Sequence, residues 1–419
     1  MKKSELFYYC YKLLSSLSLD LFRILIFWWV ISEYGGEELS SLLFIITLAS
    51  FMLIPLLGPI SDFYIKSRIL SYSHLAYAAC FFFIFLNISS EASVDTKFII
   101  FGCIYFIIAV ITSISSPASN AIMAEIAESE RLPLVIRKTK SILSSLALIN
   151  PLLASALGLI SIELGLIVSG SIALMVALVA FKMKSSEPIS SHNQEIGLRV
   201  WSKSIIQGWK LKFQIKIELW YTIIVGFTNL LITPFFLVLI PLFIKERFSA
   251  DIFAYGAAES AIAIGNLLAA LLVLPYLNKK LHKSWICSIG VFISGTGVIL
   301  ASMSENLWLF IGILPFTGLG IAVFTMNGMS HRLLAFPKTD RSKISAVDLS
   351  IGNITKALGL GVTGYFIGFY DIQIIALTYA TLILIMSFVI MLIPDWKEFM
   401  SLRHDQLEGY FERKYSITT

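Results

Sequence analysis

Twelve stretches of this chain, each about 20 residues long and poor in charge, are long enough to cross a bilayer as helices. With 57% hydrophobic and only 14% charged residues among 419, most of the chain needs lipid or other membrane helices as its surroundings. In lipid a helix satisfies its backbone hydrogen bonds within one segment, so the pattern specifies an all-α integral membrane protein. The spans fall at roughly 11–33, 39–60, 69–88, 97–118, 139–159, 162–182, 217–243, 253–276, 284–303, 307–330, 343–368 and 372–393.

The net charge of +5 does not point to nucleic acid, because its placement follows the loops. Lys and Arg gather in alternate connections: Lys2/Lys3, Lys66/Arg68, Arg131/Arg137/Lys138/Lys140, seven between Lys182 and Lys216, then Lys279/Lys280/Lys283 and Arg332/Lys338/Arg341/Lys343. The intervening loops are mainly acidic, with Glu33/Glu37/Glu38, Glu91/Asp95, Glu163, Glu246/Asp251, Glu305 and Asp371. By the positive-inside rule both termini and the long middle loop are expected on the cytoplasmic side. Met1-Lys2-Lys3 before an apolar run resembles a signal peptide, but Asp20 and Arg23 interrupt that run and Trp28-Trp29 anchors its far end. A retained first helix is expected. Cys10, Cys80, Cys103 and Cys287 show no metal spacing, and the expectation is four reduced, buried thiols.

The expected organisation is a six-helix bundle at 1–182, a cytoplasmic linker at 183–216, a second six-helix bundle at 217–393 and a cytoplasmic tail at 394–419. Within the linker Trp201, Ile205, Trp209 and Phe213 recur near a period of four with lysines opposite, which predicts an amphipathic helix lying on the membrane surface. A weak repeat relates the halves. Leu57-Gly58-Pro59-Ile60-Ser61-Asp62-Phe63-Tyr64-Ile65-Lys66 aligns without gaps to Val273-Leu274-Pro275-Tyr276-Leu277-Asn278-Lys279-Lys280-Leu281-His282. Two similar halves about a long loop are the layout of a rocking transporter with a midplane site.

The loop Gly58-x-x-x-Asp62-x-x-x-Lys66-x-Arg68 resembles the signature between helices two and three of the major facilitator superfamily. The resemblance implies the major facilitator fold, twelve helices in two pseudo-symmetric bundles. It also implies a conformational latch of Gly58, Asp62, Lys66 and Arg68, in which Asp62 faces helix eleven in the outward-facing state. Phe63 and Ile65 stand where the family places a basic residue and a glycine. Ser18-Leu19-Asp20, Trp28-Trp29-Val30, Ser116-Pro117-Ala118-Ser119-Asn120-Ala121, Arg131-Leu132-Pro133, Tyr255-Gly256, Ile264-Gly265 and Asp340-Arg341-Ser342-Lys343 resemble the branch holding macrolide efflux pumps and the enterobactin exporter. Asn150-Pro151-Leu152-Leu153-Ala154-Ser155 stands where antiporters carry a glycine-rich helix-five signature; Pro151 keeps a kink possible there. The helix-four arginine of many proton antiporters has no counterpart between Ile99 and Ser116.

Charges inside spans cost several kcal/mol unless paired or hydrated, so each is a site hypothesis. Asp20 and Arg23 share a helix face at i, i+3 and can pair. Asp20 then reads either as a proton carrier or cation contact tuned by Arg23, or as half of a structural pair. Glu259, about a turn and a half into helix eight, reads as a hydrated acid or as a lone proton site. Lys356 lies deep in helix eleven, two turns from Asp348, and implies an inter-helix partner or an anionic substrate group. Asn150, Asn229, Asn266 and Asn327 are uncharged candidates, although amides in spans commonly join helices. The glycines of Gly361-Val-Thr-Gly364 and Gly368 predict close packing.

No Gly-rich loop ends in Lys-Ser/Thr, so no ATP site of that kind is expected. The five histidines lack metal spacing. The expected protein is a monomeric secondary transporter of a bacterial inner membrane, with no metal, cofactor or nucleic acid. The resemblance implies proton-coupled, alternating-access export of a small amphipathic compound such as an antibiotic, siderophore or peptide-like toxin, with Asp20 or Glu259 taking the proton. The alternatives are uptake of an anionic metabolite at Arg23 and Lys356, and a receptor-like member of the fold without turnover.

Overall fold

A computed structural model describes residues 3–57, 60, 64–126, 132–183, 206, 209–336, 341–407 and 409–415. Among the described residues every regular element is helical. The long helices are α1 (Lys3–Glu33), α2 (Gly36–Leu57), α3 (Lys66–Ser89), α4 (Val94–Ile126), α5 (Leu132–Ile160), α6 (Ile162–Phe181), α7 (Lys216–Arg247), α8 (Ile252–Lys280), α9 (Lys283–Met303), α10 (Leu307–Ala335), α11 (Arg341–Ile367) and α12 (Ile372–Leu392). Eleven of these are long and apolar enough to cross a membrane, and α11 carries Arg341, Lys343, Asp348 and Lys356 along its length. The chain is a multi-pass membrane protein.

Two helices begin earlier than their apolar windows: α1 at Lys3 rather than near 11, and α5 at Leu132 rather than near 139. An apolar window reports the thickness of hydrocarbon, whereas a helix continues as long as its local hydrogen bonds do. Prolines leave a different mark. Wide turns at Phe235–Leu239, Phe243–Arg247 and Ala269–Val273 lie beside Pro234, Pro241 and Pro275. A proline lacks the N–H and its ring crowds the carbonyl four residues back; for Pro241 and Pro275 that carbonyl, of Leu237 and of Leu271, lies in the widened turn.

The packing partners repeat every six helices. In the first half α1 packs on α5 and α6, α3 on α4 and α6, and α2 on α4. In the second half α7 packs on α11 and α12, α9 on α10 and α12, and α8 on α10. Residues cluster into two compact units, Met1–His192 with Ile244–Ser260, and Asn193–Phe243 with Ala261–Thr419. Glycines bring backbones together in both. In the first unit, a Cβ on Gly256 of α8 would run into the carbonyl of Pro151 and the side chain of Ser155 on α5. In the second, a Cβ on Gly320 of α10 would meet the backbone of Gly290 and Ser294 on α9.

The chain end packs as part of the second unit. The short helices α13 (Trp396–Ser401), α14 (His404–Leu407) and α15 (Tyr410–Tyr415) bury Trp396, Phe399 and Phe411. The Trp396 ring stacks 5.6 Å from Tyr221 on α7, and Phe411 lies 5.2 Å from Phe399 and 4.9 Å from Phe336. Desolvation works against the charged form of Lys414, but hydrogen bonds to Asp395 and Tyr410 prevail and hold it above the usual lysine range. All four cysteines are free; Cys80 and Cys287 are buried as expected, while Cys10 and Cys103 are exposed, on the outward side of their helices.

Most of the expected surface helix of the linker lies outside the described residues, Trp201 and Ile205 included. Its last turn, residues 209–214, is helical, and Trp209 and Phe213 stack at 5.5 Å. Lys212 departs from the expected polar face: it is fully buried, because two carboxylates, Glu218 and Asp348, receive its ammonium.

Candidate functional site: an acid and an ion pair on the first helix

Four turns into α1 the chain presents Ser16, Asp20 and Arg23 on one face, and α5 and α8 supply what these side chains touch. Arg23 does not pair with Asp20. Its guanidinium reaches α8 and grips Glu259 with both arms, Nη1 to Oε1 at 3.1 Å and Nη2 to Oε2 at 2.8 Å. The Tyr255 hydroxyl, one turn earlier on α8, donates to Glu259 Oε1 at 3.1 Å. Two planar groups meeting in parallel make the stronger kind of ion pair. Glu259 is therefore not a lone acid, correcting that expectation. The geometric reason is reach: at i, i+3 the Asp20 carboxylate must compete with an acid that Arg23 meets head-on.

Asp20 is left with neutral donors. Its Oδ2 accepts from Ser16 Oγ at 3.0 Å and from Asn150 Nδ2 of α5 at 2.8 Å. No ion pair to Asp20 exists among the described residues. Asn150 is fully buried, also donates to Ser16 Oγ at 3.3 Å, and keeps its own Oδ1 buried without a partner. Pro151 follows it, buried within α5 at the close approach to Gly256. Further along the same seam Ser260 Oγ donates to the Leu148 carbonyl at 2.8 Å. Asn150 thus stands where α5 touches both α1 and α8.

The remaining sequence candidates lie elsewhere. Asn327 on α10 joins helices, donating to the Lys283 carbonyl at 2.8 Å and contacting Cys287 Sγ at 3.3 Å. Asn229 on α7 makes no side-chain hydrogen bond among the described residues and lines a cavity of about 130 Å³ with Tyr221, Thr222, Thr325, Arg332 and Asp348. Lys356 is half-buried and has no ion pair or hydrogen bond among the described residues. Asn266 is exposed on α8. Of the loop signature, Gly58 and Asp62 lie outside the described residues. Lys66 binds Glu125 at the end of α4 at 2.5 Å, and Arg68 is exposed.

A second charge cluster escaped the sequence reading. Glu218 on α7 is fully buried and accepts from Arg332 Nε at 2.6 Å and Nη2 at 2.5 Å. Arg332 also reaches Asp348 Oδ2 at 3.4 Å, and Lys212 binds Asp348 and lies 3.5 Å from Glu218. The Arg332 guanidinium stacks 4.1 Å over the Tyr221 ring. Two cations and two anions cancel here, joining the linker, α7, α10 and α11. Among the described residues no group of acids, histidines and cysteines is arranged to hold a metal.

A family model for the Major Facilitator Superfamily matches residues 9–284 and 222–399. The chain belongs to that superfamily. Among solved structures it resembles the nucleoside transporter NupG, with TM-score 0.73 and 14% identity over 94% of this chain and 100% of the other. It also resembles a peptide transporter POT, with TM-score 0.74 and 13% identity over 96% of each. A third is a bacterial homologue of the iron transporter ferroportin in an inward-facing state, at 0.70 and 14% over 96% and 99%. At such identities the likeness is one of fold. No curated protein sequence matches the chain.

Proposed function

We propose that the chain is a proton-coupled exporter of a small amphipathic compound, working by alternating access in a bacterial inner membrane with both termini cytoplasmic. The observation that carries the coupling is Asp20, a carboxylate within a span held by neutral donors alone. Such a group changes charge without stranding a partner. The donor set suits both states: the Ser16 hydroxyl rotates, and the unpartnered Oδ1 of Asn150 provides an acceptor for a protonated Asp20 once the amide turns over. Glu259 fits the role less well, because protonating it leaves Arg23 as an uncompensated cation among buried groups. The pair Arg23–Glu259 serves instead as a tie from α1 to α8 that breaks and reforms in the cycle. Support for outward transport comes from the resemblance of the first, fourth and eighth helices to macrolide and enterobactin exporters.

The test is flux in proteoliposomes under an imposed pH gradient, using compounds that raise the melting temperature of the purified protein. Wild-type protein is expected to move such a compound against its gradient at the expense of protons. Binding without any movement under either gradient direction would place the chain with the receptor-like members of the fold. Lys356 favours a second reading, in which the cargo is anionic, since this cation has no partner among the described residues. Arg23 is withdrawn from that role by Glu259.

A further inference from the structure

Lys12 of α1 lies within the span Ser4–Glu33, half-buried, and no carboxylate among the described residues pairs with it. Its Nζ donates to Ser119 Oγ of α4 at 2.6 Å and sits 5.7 and 5.8 Å from the ring centroids of Tyr8 and Tyr11. One hydroxyl and two rings are thin compensation for an ammonium removed from water. Two further donors share the face of α4 that carries Ser119. Ser116, Ser119 and Asn120 follow at i, i+3 and i+4, so they share a face of α4. Ser116 and Asn120 are exposed, inside the span Val94–Met123, and their side chains make no hydrogen bond among the described residues.

The neighbouring histidine is engaged on both sides. His74 Nδ1 lies 2.8 Å from the Leu70 carbonyl, which only accepts, so this nitrogen carries a proton. Nε2 lies 2.9 Å from Ser15 Oγ. Neither ring nitrogen is left to hold a ligand, and the polar wall offers Lys12 as its cation. Hydroxyl and amide donors gathered about one unpaired ammonium match a group with several acceptor oxygens and negative charge.

We propose that Lys12, Ser116, Ser119 and Asn120 form a subsite for an anionic group, a carboxylate, phosphate or sulfonate, on an amphipathic molecule. That this molecule is cargo rests on the transporter reading; the same donors also fit the headgroup of an anionic lipid. The probe is phenyl phosphate, with benzyl alcohol as its uncharged counterpart, added to the full chain in nanodiscs of zwitterionic lipid. Phenyl phosphate is expected to raise the melting temperature in a concentration-dependent way and benzyl alcohol is not. Lys12→Gln weakens the apparent affinity at least about tenfold, and Lys12→Arg restores most of it.

Without ligand, Lys12→Met is expected to melt higher than wild type, since it removes an unpaired intramembrane charge. A lower melting temperature for Lys12→Met would mark a structural lysine and overturn the subsite. Equal stabilisation by phenyl phosphate and benzyl alcohol, or unchanged affinity in Lys12→Gln, would also overturn it. Exchanging part of the lipid for phosphatidylglycerol separates the two sources. Loss of the phenyl phosphate effect in those discs identifies a lipid headgroup as the occupant, and its persistence identifies a soluble anion. Where the phenyl phosphate effect persists in those discs, solute flux indifferent to Lys12→Gln sinks the subsite and leaves the transporter; Lys12-dependent binding with no flux does the reverse.

Discussion

The two charge clusters of this protein obey different rules. In the second unit Lys212, Glu218, Arg332 and Asp348 cancel one another, with Glu218 and Lys212 fully buried and each acid reached by both cations. In the first unit Arg23 and Glu259 cancel, and Asp20 stands beside them with only a serine and an asparagine for company. A closed cluster has no state to change into without stranding a charge, so it holds helices in register. A cluster with one unmatched acid has a second state available for the cost of a proton. On the proposal that Asp20 carries the proton, completeness of pairing, rather than burial, separates scaffold from working site.

Arg332→Ala tests the scaffold half of that contrast with the largest expected effect. It leaves Glu218 buried against Lys212 alone, and a loss of about 3–5 kcal/mol in unfolding free energy is expected. Denaturant unfolding in mild detergent checks this, and a loss below about 1 kcal/mol would mean the cluster is not a structural knot. Next comes Gly256→Ala, which drives a methyl group into the Pro151 carbonyl and Ser155. The expected cost is about 1–3 kcal/mol from forced separation of α5 and α8, read as a drop in melting temperature.

Smaller still is the tie between α1 and α8. Arg23 and Glu259 are 29% and 17% exposed, so their coupling in a double-mutant cycle of Arg23→Ala and Glu259→Ala is expected near 1 kcal/mol. Transport rate is the sharper readout, because loosening a tie that must break speeds the step it limits. A coupling of several kcal/mol would move this pair into the scaffold class. Asp20→Asn is expected to change stability least of all, since the amide keeps polar contacts with Ser16 and Asn150.

Much of the fold was legible in the sequence, and the sites were legible only in part. Eleven of the twelve expected spans are helices long and apolar enough to cross a membrane, α11 being the more polar twelfth, and the packing partners match six helices apart. Asp20, Arg23 and Glu259 each announced themselves as charges within apolar runs. Their pairing did not, because local spacing favours i, i+3 and says nothing of a partner 236 positions away. Glu218, Arg332 and Lys212 lie at span ends or in the linker, where charges pass as flanking residues. Lys12 was passed over because it stands at the very edge of the first apolar window, where a lysine passes as a flanking charge. The helix extends beyond the apolar window, back to Lys3, and so places that lysine well inside it rather than at its end. Glu125, the partner of Lys66, lay beyond the apparent end of the fourth span for the same reason.

The most direct test of the central claim is proton movement coupled to solute movement in proteoliposomes loaded with a pH-sensitive dye, comparing wild type with Asp20→Asn. Wild type is expected to change the internal pH when a stabilising compound is added to one side. Asp20→Asn is expected to bind that compound yet lose the pH response by more than about tenfold. A pH response in Asp20→Asn equal to that of wild type would contradict the assignment of Asp20 as the proton carrier.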